Sequence, residues 1–461
     1  MNGVISIIAT LVLVGLLLWG VMKRMNAGFL LMVLGLGSIF VMELITHTSV
    51  LGDKSIGNLF LDLFEYFQSV AASQLSRNVL IVMSVMGYVF YMEKLKASTM
   101  FALLMAKPFK NMKNPYLLIV VVLIFGTFLK LGITSASSLT AMMLATMYPI
   151  MRKAGLSRNT AAAVLPIAGS IVWGPADANW FMVFSVGNIT ELSVPEFFVK
   201  YMILFVVLVV AVLSITLIIF SRYYDKKEGA LANENDTYEE KEGETPESLG
   251  IPKFYALFPL LPLVIILVFS NLVKATPNVS VVGAHVLCFC FVMLIDMICK
   301  KNFKDTFNNA SFFFEGMGRY FNLGGIIMIS ATIFSQGLAM IGGITKIADI
   351  LSGGAGLVIG IAVATLLGMF IAAFSHLSPV IPIFVPLILT ICTAAGVSPY
   401  YALCALIFGS CMGLNVYACN SAIIIASGAT GAPISTILKR NLLPSLITAA
   451  CCIVMGIILT H

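Results

Sequence analysis

Charge is scarce in this chain. Only 10% of its 461 residues are Asp, Glu, Lys or Arg, whereas 60% are hydrophobic and the mean hydropathy is +1.02. Those values exclude an ordinary soluble globular protein. The signatures of an intramembrane enzyme are also missing: there is no His-Glu-x-x-His, no paired membrane aspartates and no Gly-x-Ser-x-Gly turn. All nine cysteines lie in or beside hydrophobic segments of the second half, and none has zinc-ligand spacing. Buried free thiols are therefore expected, with no metal site and no cofactor. The net charge of +6 sits mostly in short loops, where it bears on membrane orientation and gives no reason to expect nucleic acid as a partner.

What fills the chain is apolar runs of about 20 residues, the length a helix needs to cross a bilayer, without the ten-residue alternation of a barrel. Leu11–Met22 is followed by Lys23, Arg24 and a further span with no small-residue cleavage site, so the first segment is expected to be retained. Spans are predicted at 3–22, 28–47, 78–95, 200–220, 254–273, 278–298, 321–341 and 441–459, with longer interrupted segments at 115–152, 159–186, 355–394 and 399–427. An amphipathic stretch at 96–112 and a short one at 343–353 precede the interrupted segments. Between the halves, Arg222–Lys253 carries Asp225-Lys226-Lys227-Glu228 and Glu239-Glu240-Lys241-Glu242 and reads as a solvated linker.

The two halves echo each other. Ser137, Gly155, Ser157, Ala161, Asn179 and Gly187 recur as Ser378, Gly396, Ser398, Ala402, Asn420 and Gly428, each 241 residues later. Segments 115–152 and 355–394 are nearly two spans long, yet each has a polar tip in its middle. If each is a re-entrant hairpin, Lys107, Lys110, Lys113, Arg152, Lys153 and Arg158 fall on the same side as Lys23, Arg24, Arg222, Lys439 and Arg440. The positive-inside bias makes that side the cytoplasm and places both termini outside. The expected fold is an all-α polytopic membrane protein of two inverted-topology repeats, 1–221 and 254–461. It has about ten transmembrane helices plus two re-entrant hairpins, with a cytoplasmic linker at 222–253.

Short, broken hydrophobic segments in matching places of two halves point to a secondary transporter. The first tip is Thr134-Ser135-Ala136-Ser137-Ser138 and the second is Ser375-His376-Leu377-Ser378-Pro379. Gly174-Pro175-Ala176-Asp177-Ala178-Asn179 breaks the first long segment, and Gly413-Leu414-Asn415 through Asn420-Ser421 breaks the second. Two tips and two breaks converging would aim four helix N-termini at one place, an arrangement suited to an anion. The candidate substrate residues are Thr134, Ser135, Ser137, Ser138, Asp177, Asn179, Ser375, His376, Ser378, Asn415, Asn420 and Ser421. Lys130, one turn before the first tip, is a candidate charge partner for a substrate carboxylate or for Asp177. Glu43, His47, Glu93 and Asp296 lie near predicted span ends and are expected to be solvated there. His285 is expected to make a helix–helix hydrogen bond.

The chain resembles the anaerobic C4-dicarboxylate carriers of the DcuC type, within the wider ion-transporter group. The resemblance is carried by Asn114-Pro115-Tyr116-Leu117-Leu118, by Ala145-Thr146-Met147-Tyr148-Pro149-Ile150-Met151 with Gly155-Leu156-Ser157-Arg158, by Arg222 through Glu228, and by Ser335-Gln336-Gly337-Leu338. It implies uptake, efflux or exchange of succinate, fumarate or malate across a bacterial inner membrane by an elevator motion, with a homodimer suggested and Na+ or H+ as the coupling ion. Three departures fall at the expected site. Ala178-Asn179 stands where the family carries Gly-Asp, Cys411-Met412-Gly413-Leu414 where it carries Asn-Leu-Gly-Arg, and the second tip is less rich in Gly and Ser. Lys130 is the candidate to restore the cation that the missing arginine would have supplied. The rivals are a carrier for another carboxylate, amino acid or short peptide and, more remotely, an intramembrane enzyme or a channel.

Overall fold

Polar residues at the edges of the apolar runs decide where the helices start. The computed structural model describes residues 3–228, 245–269, 277–351 and 354–460, and every regular element among them is helical. Helices α1 (Gly3–Met22) and α2 (Ala27–Thr46) meet at Asn26, whose side chain accepts the Phe29 amide and so satisfies one of the donors a helix start leaves free. Helix α3 (Leu59–Gln74) runs through a π turn, Leu75–Val79, into α4 (Leu80–Lys94), and the short α5 (Ala97–Ala106) follows.

Helices α6 (Pro115–Leu129) and α7 (Ala136–Lys153) form the first hairpin. Asn114 accepts the Tyr116 and Leu117 amides, and Pro115 takes the first helical position, where its missing N–H costs nothing. The Asn-Pro-Tyr-Leu-Leu run is thus a helix start. Helices α8 (Arg158–Ser170) and α9 (Ala178–Val186) are one segment broken at Gly174, whose φ of +120° only glycine tolerates well, and at the Pro175 beside it. Then α10 (Val194–Phe197) passes through a π turn into α11 (Ile203–Lys227).

The second half opens with a 3₁₀ helix, Lys253–Leu260, leading into α12 (Leu261–Val268), and continues with α13 (Val281–Lys300). Helix α14 (Phe303–Tyr320) passes through a π turn, Phe321–Gly325, into α15 (Ile326–Ile341), which bends by 66° into α16 (Gly343–Ile350). A second hairpin, α17 (Gly354–Phe374) and α18 (Val380–Ala394), precedes the broken pair α19 (Tyr400–Cys411) and α20 (Ser421–Thr430), and α21 (Ile434–Thr460) closes the chain. Gly413 lets the second break press on α17: a Cβ there would meet the Met369 carbonyl at 2.2 Å.

The element order therefore recurs: two opening helices, a long helix with a π turn, a short helix, a hairpin, a broken helix and a long closing helix. Packing partners are exchanged in the same sense. Helix α5 packs on Lys253–Leu260 while α16 packs on α1; α7 packs on α20 while α18 packs on α9. Large apolar side chains such as Val12, Trp19, Phe29, Val41, Ile215 and Val454 stay exposed, as expected of a belt that faces lipid.

Several expectations need correction. Eight helices among the described residues are long and apolar enough to cross a membrane, or nine if α15 and α16 count as one bent span, against about ten expected. Segment 159–186, divided by its break, and the short Lys253–Val268 drop out of the ten expected spans, while α17 of the second hairpin, with 20 residues at Ala355–Phe374, is itself long enough to be counted. The spans expected to start at 78 and 321 belong to helices that start at Leu59 and Phe303, because their amphipathic first turns look loop-like in sequence. The linker starts later than expected. Helix α11 continues through Lys227, and Asp225 is fully buried; residues 229–244 lie outside the described residues. Glu43 and Asp296 are also fully buried, not solvated. Glu43 accepts the Val50 amide at 2.6 Å, and Asp296 holds Tyr255 Oη at 2.8 Å and Lys300 Nζ at 2.9 Å. His285 bonds within its own helix, through Nδ1 and the Val281 carbonyl at 2.7 Å.

Candidate functional site

The first hairpin tip is built from a helix end and a helix start. Helix α6 stops at Lys130, whose buried side chain curls back so that Nζ donates to the Thr134 carbonyl at 2.6 Å. Helix α7 starts at Ser135, whose Oγ accepts the Ser138 amide at 3.3 Å and lies 3.1 Å from Ser137 Oγ. With 15 residues, α6 is about 22 Å long and too short to cross a hydrocarbon core of about 30 Å, so the tip sits at membrane depth. Thr134, Ser135, Ser137 and Ser138 are half-buried, as residues lining a crevice are. Thr134 Oγ1 reaches only the Met86 sulfur, at 3.5 Å. The Ser138 side chain meets Glu93 of α4, which the sequence reading placed at an interface.

The first break lies against this tip. Leu131 is the nearest neighbour of Gly174, and Lys130 and Asp177 lie within electrostatic range of each other. They form no direct ion pair. Asp177 instead caps α9, accepting from the Asn179 amide at 2.9 Å and from Asn179 Nδ2 at 3.1 Å. The expected structural pair is thus a through-space neighbour, and Asn179 is engaged with Asp177.

From the second half, His376 and Cys411 lie within electrostatic range of Lys130, and Cys411 and Tyr320 within that of Asp177. The second tip and the second break therefore do approach the first pair. His376 is exposed. Ser378 is half-buried, and its hydroxyl makes no hydrogen bond among the described residues. Ser375 Oγ donates to the Ile371 carbonyl at 2.9 Å and is satisfied by backbone. Asn420 caps α20 through the Ala422 amide and donates to the Leu414 carbonyl, and Ser421 follows it, exposed. Asn415 does not join the site. It is buried against α21, donating to Ser445 Oγ at 3.3 Å.

The tips and the first break thus bring near one another a buried ammonium at Lys130, half-buried hydroxyls at Thr134, Ser137 and Ser378, the His376 imidazole and the start of α9. No group of three or more His, Cys, Asp or Glu side chains that could hold a metal occurs among the described residues. Glu93, expected at an interface, is half-buried, and Tyr320, Arg77 and Arg319 are not among the sequence candidates; the two arginines lie in the helices that carry the Leu75–Val79 and Phe321–Gly325 π turns. The two arginines are 242 residues apart, nearly the spacing of the repeat, and that was the signal available.

A polytopic helical protein with two hairpins and two broken helices has the build of a membrane solute transporter. The family model of the C4-dicarboxylate anaerobic carriers, DcuC, matches residues 1–461, and the chain belongs to that family. It is 25% identical over 445 residues to the anaerobic C4-dicarboxylate transporter DcuC of Escherichia coli O6:H1, covering 96% of this chain and 94% of the relative. It is 25% identical over 418 residues to a probable anaerobic C4-dicarboxylate transporter DcuC of Vibrio cholerae, covering 88% of each. The fold is similar to that of Neisseria gonorrhoeae MtrF, described as illuminating a class of antimetabolite efflux pumps. The TM-score is 0.57 and the identity 14%, over 88% of this chain and 85% of that one.

Proposed function

We propose that the chain is a secondary active transporter that moves C4-dicarboxylates such as succinate, fumarate and malate across a bacterial inner membrane by alternating access. The observation that carries this reading is Lys130: a buried cation at the foot of the first tip, bonded to a carbonyl and paired with no carboxylate. In a poorly hydrated crevice such a charge calls for an anionic partner. One substrate carboxylate meets Lys130, and the other meets the hydroxyls of Ser137 and Ser378 and the helix N-termini behind them. Two substrate carboxylates and Asp177 outweigh one ammonium, so a coupled Na+ or H+ balances the charge; no other cofactor is needed. The recurring element order and the exchanged packing partners support an inverted repeat; re-entrant hairpins moving as an elevator body, both termini outside and a homodimer complete the proposal and rest on the cation distribution and the family resemblance.

Counterflow of labelled succinate in proteoliposomes tests the reading, with fumarate, malate, acetate and citrate as competitors and with Na+ and pH gradients imposed in turn. Fumarate and malate should compete, acetate and citrate should not, and one of the two gradients should drive accumulation. Ser137→Ala and Ser378→Ala should each weaken apparent affinity about fivefold, the effect of losing a hydrogen bond of about 1 kcal/mol, at near-normal protein abundance. Equal competition by acetate overturns the dicarboxylate assignment, and unchanged affinity in both variants removes the tips from the site.

A further inference from the structure

A second polar cavity, of about 410 Å³, lies apart from the hairpin tips, between the α3 π turn, the far end of α9 and α15. Helix α9 separates it from Asp177. Nine residues of helix are about 13 Å, so a molecule of C4 size cannot occupy both places. The broken pair enters at Arg158, beside the Arg440 cluster, and ends at Val186, which lines the cavity, so the cavity lies at the pair's other end, away from that cation-rich side.

Its walls carry donors in excess of acceptors. Gln74 is buried, and its Oε1 accepts from Ser185 Oγ at 2.6 Å and from Asn78 Nδ2 at 3.0 Å, which leaves Nε2 without a protein acceptor among the described residues. Ser185 Oγ lies 3.3 Å from Thr332 Oγ1, so three elements are tied together at the cavity floor. Arg77, in the π turn, lines the same cavity, and no carboxylate of the described residues pairs with it. Arg77 is exposed to this cavity about half-way along the 36-residue helix Leu59–Lys94, and π turns inside helices are frequent at functional sites.

The other half of the molecule supplies the contrast. Arg319, 242 residues after Arg77, has Glu93 within electrostatic range and lies over the Phe90 ring at 5.3 Å. Glu93 in turn is 242 residues before Ser335, which lines the Arg77 cavity. Arg319 has a built-in carboxylate within electrostatic range, whereas Arg77 shares its cavity with the Ser335 hydroxyl. The negative charge that one half provides for itself, the other half leaves to be brought in.

We propose that the Arg77 cavity is a second carboxylate-binding site, which captures a small organic anion on the side away from the Arg440 cluster, ahead of the hairpin tips. The choice of carboxylate rests on the transport reading above, whereas the site itself rests on the cavity. Its test uses Ser73→Cys, whose thiol would stand in the cavity wall, with modification by an impermeant maleimide followed by peptide mass spectrometry so that native cysteines do not interfere. Succinate should slow modification, and methylammonium should not. Arg77→Gln should weaken that protection about tenfold, as loss of a charge-assisted contact does, and Arg77→Lys should restore part of it. Ser335→Glu, which installs the carboxylate that the other half carries, should abolish protection without removing Arg77. Ser137→Ala should leave it intact. Protection that is absent, or undiminished in both Arg77→Gln and Ser335→Glu, or lost in Ser137→Ala, overturns the proposal. If Arg77-dependent protection holds while counterflow of succinate fails, the transport reading falls and the site stands; if counterflow holds without such protection, the site alone falls.

Discussion

Lys130 and Arg440 are both buried cations in a membrane protein, and they are treated in opposite ways. Arg440 is 2% exposed and paired with two carboxylates: its guanidinium lies 2.7 Å from Asp225 and 2.6 Å from Glu228 and also bonds Thr160, while Asp225 accepts from Ser157 at 2.6 Å. Lys130 is 5% exposed and has one carbonyl at 2.6 Å, with Asp177 near but committed to capping a helix. A cation surrounded by fixed carboxylates and hydroxyls joins α8, α11 and α21. A cation left with a single neutral acceptor beside half-buried hydroxyls is available to a ligand. The difference separates a structural charge from a functional one more sharply than burial does, since burial is nearly equal.

The largest effect should come from breaking the Arg440 cluster. Arg440→Gln leaves Asp225 buried and unpaired, which costs about 3–5 kcal/mol when one partner of a buried ion pair is removed. The thermal midpoint in detergent should fall steeply, and Arg440→Gln with Asp225→Asn should recover much of it, because the pair is then neutral. A midpoint unchanged in the single variant would mean that the cluster does not hold the three helices together.

Lys130→Gln should do the reverse. Fold stability should hold or rise, because no carboxylate loses its partner, while succinate binding should drop by about 1.5–3 kcal/mol, the range for a hydrogen bond to a charged group. Calorimetric titration beside a thermal melt reads both quantities. If Lys130→Gln with Asp177→Asn restores binding, Lys130 serves only to neutralise Asp177 and the contrast with Arg440 disappears. If the loss persists and monocarboxylates gain relative affinity, the ammonium meets one end of a dianion.

The contrast also shows what sequence can and cannot carry. The hairpin tips were legible because serine and threonine clusters interrupt apolar runs, and Gly174-Pro175 was legible because no unbroken helix accommodates it. Asp225 was read as part of a solvated charge run, since what buries it lies 215 residues further on and its own neighbourhood gives no hint of Arg440. Asp177 offered itself as a partner for Lys130, and the competing capping role lay only two residues away at Asn179. Arg77 was missed because the apolar window began at residue 78 and turned a mid-helix cation into an end residue. Long-range charge pairing and amphipathic helix starts are set by tertiary packing, which a window along one chain does not sample.

The smallest effect belongs to a third cation, Lys253, which faces water. It lies 2.9 Å from Glu247, and the side chains are 61% and 68% exposed. Their geometry is as short as that of Lys300 with the buried Asp296, so distance alone would rank the two pairs together. Solvent screening and side-chain entropy say otherwise. The hydrogen bond from Lys253 holds the Glu247 carboxyl below the ordinary glutamate range. Whatever the pair contributes is present at neutral pH, above the unfolded glutamate value, and is lost as pH falls through the lowered folded value. Lys253→Gln should therefore leave the thermal midpoint at pH 7 within replicate scatter, and the gap between wild type and variant should not widen on acidification. A clear fall at pH 7 that vanishes at low pH would show that an exposed ion pair can matter here as much as a buried one, and would remove burial with fixed partners as the criterion that sets Arg440 apart.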